Sequence, residues 1–100
     1  MERGARTRLK GVASLGLMDR VDAAFAADPR PGRDEITGAL WSVCKAGQHE
    51  AAEHLLAHGA DINWIGWDGM TPLDAAQRGD GGHLVAWLRS RGAKTAPELT

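Results

Sequence analysis

The chain carries a single cysteine, Cys44, in 100 residues, so no disulfide can form within it and a reducing compartment suits it. No apolar run approaches the ~20 residues that a helix needs to cross a bilayer. The first residues, Met1-Glu2-Arg3-Gly4, lack the apolar stretch of a secretory signal. A cytoplasmic protein without membrane contact is the expectation. Neither sign of charge is in excess: the formal net charge is -1, which argues against a dedicated nucleic-acid binder with its concentrated basic surface. The one basic cluster, Arg3, Arg6, Arg8 and Lys10, reads as a solvated N-terminal face rather than a phosphate site.

Motifs for chemistry are missing as well. No serine or cysteine stands in a nucleophile motif. Gly79-Asp80-Gly81-Gly82 follows a predicted helix rather than a strand, so it does not qualify as a phosphate loop. His54 and His58 have the i, i+4 spacing that can chelate a metal. Leu55 occupies the place where a zinc-protease helix needs glutamate, and His49-Glu50-Ala51-Ala52-Glu53-His54 is one residue too long for the inverted motif. These histidines read as structural or solvated, and Cys44 as buried filler. Catalytic residues, cofactors and metals are therefore not expected.

What the chain does have is self-similarity. Leu40 through Ala60 superimposes on Leu73 through Ala93 at an offset of 33 residues, pairing Leu40 with Leu73, Ala52 with Val85, Leu55 with Leu88 and Gly59 with Gly92. A period of this size marks a stacked repeat architecture. In the last copy Thr71-Pro72-Leu73-Asp74 is a strong helix start: a capping hydroxyl, proline at the first helical position and an acid three residues on. Ala75 and Ala76 permit close helix approach. Arg78-Gly79-Asp80-Gly81-Gly82 breaks the helix, and a second one is predicted from about His83 to Ser90, with Gly92 as its stop. The preceding copy predicts helices over about Ala39 to Lys45 and His49 to Ala57, turned at Gly47 and ended at Gly59. A weaker third copy begins at Thr7-Arg8-Leu9-Lys10, turns at Leu15-Gly16-Leu17 and continues through Val21, Ala24 and Phe25. An irregular loop, Asp28 to Asp34, follows, where Pro29 and Pro31 forbid helix. One domain over residues 1–100 results, with repeats at about 7–33, 38–65 and 71–94 and a tail over 95–100 expected to fray.

Taken together, Asp68-Gly69-Met70-Thr71-Pro72-Leu73 and Gly59-Ala60-Asp61-Ile62-Asn63, joined without insertion, resemble the ankyrin repeat. The resemblance covers about residues 7–94. It implies an all-α solenoid of stacked helix-turn-helix units with projecting hairpin fingers, and a non-catalytic role in binding a protein partner. The chain departs from the pattern where the histidine of the first helix is replaced by Lys10, Trp41 and Asp74, where Asp80 stands for the turn glycine, and where Asp28-Pro29 replaces Gly-Ala. Three units are close to the minimum for a stable stack. The chain is either a complete three-repeat protein, which Met1 favours, or the end of a longer array, and a monomer is expected.

The resemblance also places Asn63 to Met70 in a finger. Trp64, Ile65, Trp67 and Met70 then bring apolar area to a polar position, and tryptophan is enriched at binding hot spots. Two arrangements remain open: the indoles are displayed, or they fold back on the neighbouring loop around Pro29 to Ile36. Trp41 is expected to pack between first helices. The variable positions Ser14, Leu15, Lys45, Ala46, Arg78 and Gly79 would face a partner, with Lys45 and Arg78 as a positive stripe and Asp68 and Asp80 alongside. Trp64, Trp67, Asp68, Met70, Lys45 and Arg78 are the candidate partner-binding residues. The competing function is a small helical DNA-binding regulator, since two helices about a glycine turn superficially resemble a helix-turn-helix.

Overall fold

A computed structural model describes residues 9, 13–26 and 31–99. The basic cluster Arg3 to Lys10, the start of the first copy apart from Leu9, and the Asp28-Pro29 departure lie outside the described residues. Among those described, all regular structure is helical and no strand occurs. The helices are α1 (Met18–Ala26), α2 (Arg33–Ala46), α3 (His49–Ala57), α4 (Pro72–Arg78), α5 (Val85–Ser90) and α6 (Ala96–Leu99). Single 3-10 turns cover Trp67–Gly69 and Gly82–Leu84.

Apolar spacing puts the core on one side of each helix. Leu40, Val43 and Cys44 of α2, Ala51, Ala52 and Leu55 of α3, Leu73 and Ala76 of α4, and Leu84 and Leu88 form one buried cluster, to which Leu9, Ala13, Val21 and Phe25 belong from the N-terminal side. Helix α2 packs against both α3 and α4, and α4 packs against α5. The second and third units therefore share one core and stand side by side.

The copies agree in backbone detail. Helix α3 ends with Gly59 at φ +95°, the Gly59 amide donating to the Leu56 carbonyl and Ala60 to Leu55. Helix α5 ends with Gly92 at φ +93°, Gly92 donating to Arg89 and Ala93 to Leu88. Both are 6→1 and 5→2 closures around a left-handed glycine, which occupies that position without a Cβ penalty.

The turn after the first helix of each pair differs. Gly47 is left-handed, at φ +81°, and closes α2 the same way, with Gln48 donating to the Val43 carbonyl. At the matching position Asp80 needs no left-handed backbone. Its amide instead donates to the Lys45 carbonyl of the neighbouring turn at 2.7 Å. The flanking glycines make this possible: a Cβ on Gly79 would crowd Lys45, and one on Gly81 would fall on the Cys44 carbonyl. The glycine cluster of the third unit serves close backbone approach, and that explains the displaced turn glycine. Gly79, expected to face a partner, has this packing role as well.

Three expectations are corrected. Helix α2 starts at Arg33 rather than about Ala39, because Asp34 and Glu35 lie in its first turn, where acids favour the positive end of a helix. The irregular loop accordingly ends at Gly32. The segment between α3 and α4 is not a stranded hairpin but a loop closed by the Gly66 amide donating to the Met70 carbonyl at 2.8 Å. The tail is not without structure over its described residues: Thr95 and Glu98 cap a helical turn, and the Ala96 amide donates to Asp74 Oδ2 at 2.8 Å.

Candidate functional site

The loop from Asp61 to Thr71 is fixed at both ends by side chains. Thr37 Oγ1 accepts from the Asp61 amide at 3.0 Å. Asn63 reaches forward, its Nδ2 donating to the Gly92 carbonyl and its Oδ1 accepting from the Lys94 amide. Thr71 caps α4 in a reciprocal capping box with Asp74, as the Thr-Pro-Leu-Asp pattern predicts. The loop is thus carried on the packed helices.

Trp67 lies on this frame. Its indole sits against Gly38 of α2, at a distance where an added Cβ would be only 3.2 Å from the ring. It meets Trp41 edge-on, with centroids 5.0 Å apart at 80°, and Trp64 edge-on at 5.2 Å and 89°. Such edge-to-face pairs suit the ring quadrupoles. Trp41 is 6% exposed, as expected of a packed residue, and its Nε1–H donates to the Met70 carbonyl at 3.0 Å. Trp64 is half-buried, folded over Gly66, where a Cβ would collide with its ring. Trp67 remains 43% exposed and Ile65 45%.

Display, one of the two arrangements left open by the sequence, holds in part: Trp67 is 43% exposed while Trp64 is half-buried. The indoles stack on one another and on the Gly38 segment of α2, and one edge of the stack faces solvent. Lys45 joins them: Nζ lies over the Trp41 ring, 5.7 Å from its centroid, a cation–π placement from one helical turn away. Met70 is half-buried and contributes its carbonyl, which accepts from both Gly66 and Trp41.

Asp68 and Arg78 are exposed, and no hydrogen bond, ion pair or ring contact among the described residues draws either into this cluster. Asp68 is the sole non-glycine with positive φ among the described residues, at +60°. Arg78 lies in the last turn of α4, as Lys45 does in α2, and both cations complement the negative end of their helix.

One site residue was missed by sequence reasoning. Gly38 is the floor under Trp67. A glycine inside a helix costs about 1 kcal/mol relative to alanine, and that cost was the available signal of a close approach. Ile65 was named with the finger's apolar residues but left out of the candidate binding set, and at 45% it is more exposed than half-buried Trp64.

A second aromatic group joins α1 to α3. His58 stacks on Phe25 with centroids 3.8 Å apart, and His54 lies 4.8 Å from His58 while its Nε2 meets Asp22 Oδ1 at 3.2 Å. No group of three or more metal-ligating side chains occurs among the described residues. Phe25, Pro31, Arg33, Ile36, His58 and Gly59 line an open cleft of about 460 Å³ beside this group. Cys44 is buried, and desolvation pushes its thiol up to about 12, which leaves negligible thiolate near neutral pH. No helix among the described residues is long and apolar enough to cross a membrane. Compared with known protein families and with curated proteins, the chain matches none.

Proposed function

We propose that this chain is a non-catalytic protein-binding module of ankyrin-repeat type, and that its docking face is the loop presenting Ile65 and Trp67 with Lys45 beside its tryptophans, Arg78 of α4 supplying a second cation to the partner. One observation carries the docking face: two large apolar side chains, nearly half exposed, sit on a loop whose backbone is held on both sides by hydrogen bonds. Exposed apolar area on a mobile segment is a weak argument. On a pre-ordered support it offers a partner hydrophobic contact without an ordering cost. The repeat reading is supported by the helix pairs recurring at 33 residues with matching glycine closures at Gly59 and Gly92. On that reading the variable first-helix positions, including Lys45 and Arg78, also face the partner.

The proposed partner is a protein that brings an apolar side chain to Trp67 and Ile65 and an acceptor group to Lys45 or Arg78. No bound cofactor or metal enters this role, nor does nucleic acid or membrane, and the module acts as a cytoplasmic monomer. The test is affinity capture from native cytosol with the wild-type chain, Ile65→Ser and Trp67→Ala. Ile65→Ser leaves the tryptophan stack in place and so separates docking from folding. Loss of the same captured protein with both variants, at unchanged helicity by circular dichroism, is the expected result. Capture unaffected by either substitution would remove this face from consideration.

A further inference from the structure

Aspartate is followed by glycine twice in this chain, at Asp68-Gly69 and Asp80-Gly81. That dipeptide has a chemistry of its own. Glycine places no side chain in the way when its amide nitrogen approaches the side-chain carbon of the preceding aspartate. What then governs the reaction is whether the surrounding backbone lets the two atoms meet.

The two steps sit in opposite surroundings. Asp68 and Gly69 are both exposed, at the outer turn of the loop, with φ of +60° and +67°. The space that a Cβ on Gly69 would occupy is open. The backbone hydrogen bonds that span the step stay within the loop itself: Gly69 donates to the Gly66 carbonyl at 3.2 Å, Met70 to Trp67 at 3.1 Å and Gly66 to Met70 at 2.8 Å. At the other step Gly81 is buried, and a Cβ there would strike the Cys44 carbonyl and press on Ala76. The Asp80 amide is bound to the Lys45 carbonyl at 2.7 Å, and the Gly81 carbonyl accepts from Leu84 at 2.8 Å. Rotating the Asp80-Gly81 peptide means separating α2 from α4. Rotating Asp68-Gly69 means opening one surface turn, and surface turns open at far lower free energy than packed backbone.

We infer that Asp68-Gly69 is a site of spontaneous aspartate isomerisation in the folded protein, and that the fold protects Asp80-Gly81 from the same reaction. The Gly69 nitrogen attacks Cγ of the Asp68 carboxylic acid. The N–Cγ bond forms, the nitrogen gives up its proton and the carboxyl hydroxyl leaves, so that one water departs and a five-membered imide closes. Water then adds to one of the two imide carbonyls. Breaking the N–Cγ bond regenerates aspartate. Breaking the bond from nitrogen to the main-chain carbonyl carbon leaves isoaspartate, with the chain running through Cβ and Cγ. One water leaves and one returns, and nothing is oxidised or reduced.

The product lengthens the backbone by one carbon between Trp67 and Met70. That stretch is closed by the Gly66 to Met70 bond at 2.8 Å, and the Met70 carbonyl also anchors Trp41 at 3.0 Å. A longer turn cannot keep both bonds with Trp67 seated on Gly38, so isomerisation loosens the indole stack. The chemistry stands whether or not this face docks a protein.

The experiment incubates the full chain, folded, in warm neutral buffer and locates isoaspartate by peptide mapping with electron-based fragmentation. A parallel sample is held in urea. Isoaspartate is expected at position 68 in at least about tenfold excess over position 80 in the folded chain, because local opening sets the rate. In urea the two sites approach parity. The Asp68→Glu variant, which would need a slower six-membered closure, loses the signal at 68 and leaves position 80 unchanged. A ratio near one in the folded chain, or an excess at 68 that persists undiminished in urea, overturns the inference.

Discussion

Trp41 and Asp74 stand at the same place in consecutive units, fourth in the helix-start pattern and 33 residues apart, yet they do the same task by opposite chemistry. Trp41 is an apolar plate with one donor. It buries its ring under Trp67 and sends Nε1–H to the Met70 carbonyl, 29 residues ahead. Asp74 is a small acceptor. Its Oδ2 takes the Thr71 amide at 3.1 Å and the Ala96 amide, 22 residues ahead, at 2.8 Å. Trp41, mid-way along α2, and Asp74, in the first turn of α4, each tie their helix to the segment that follows the unit. A histidine could do both parts, and here they are divided. Where a further unit follows, the link is an aromatic that also fills space. At Asp74 the segment that is met is the turn at Ala96, which offers an amide hydrogen, and a carboxylate takes it.

The difference sets the sizes of the mutational effects. Trp41→Ala removes a buried ring and its contacts with Trp67 and Lys45, and a loss of about 3–5 kcal/mol is expected in urea unfolding. Trp41→Phe keeps most of the plate and should recover more than half of that loss. Asp74→Ala breaks the capping box and frees the Ala96 amide, at about 2 kcal/mol. Asp74→Asn retains an acceptor and should recover most of it. If Asp74→Ala costs as much as Trp41→Ala, or if Phe recovers nothing, the division into packing and polar links is wrong.

How far this arrangement was legible in the sequence follows from the range of each interaction. Local signals were readable. The Thr71-Pro72-Leu73-Asp74 start and the Gly59 and Gly92 stops depend on neighbours within six residues, and the structure shows each of them. The apolar stripes through Leu55 and Leu88 were readable for the same reason. Interactions across units were not. The length of α2 was missed because Pro31 was taken to end the loop later than it does. Nothing near Trp41 announced that its partner would be the Met70 carbonyl. The site was legible in composition, as an unusual density of tryptophan in one loop, but not in geometry. Whether an indole lies outward or against a helix depends on a gap on the other side, here the missing side chain of Gly38.

Asn63 sharpens the comparison from a third position. It grips Gly92 and Lys94 with both ends of its amide at 3.2 and 2.8 Å, a link between the second unit and the segment after the third. It is partly solvated, so Asn63→Ala should cost about 1 kcal/mol. Faster hydrogen exchange at the Lys94 amide should accompany the loss, while exchange at Thr71 stays unchanged. Equal acceleration at both amides would show that the links act as one unit rather than separately.

The smallest effect belongs to the terminal turn that Asp74 holds. Glu98 is exposed, and its carboxyl is held below the ordinary glutamate value of 4.5. The cause is first the Thr95 amide, then the Thr95 hydroxyl and the Arg89 guanidinium, all of which favour the charged form. A folded-state value below the unfolded one adds stability that is complete above about pH 4.5 and is lost as pH falls through the folded value. Acidification across that range should therefore release α6 before the core responds. Amide exchange at Thr95, extrapolated for its intrinsic acid dependence, should lose protection there, while Leu55 and Leu88 keep theirs. Glu98→Gln should remove the pH dependence and leave the Ala96 bond to Asp74 in place. If Thr95 protection instead follows the core amides at every pH, the turn is not a separate unit, and Asp74 then holds it as firmly as Trp41 holds the loop.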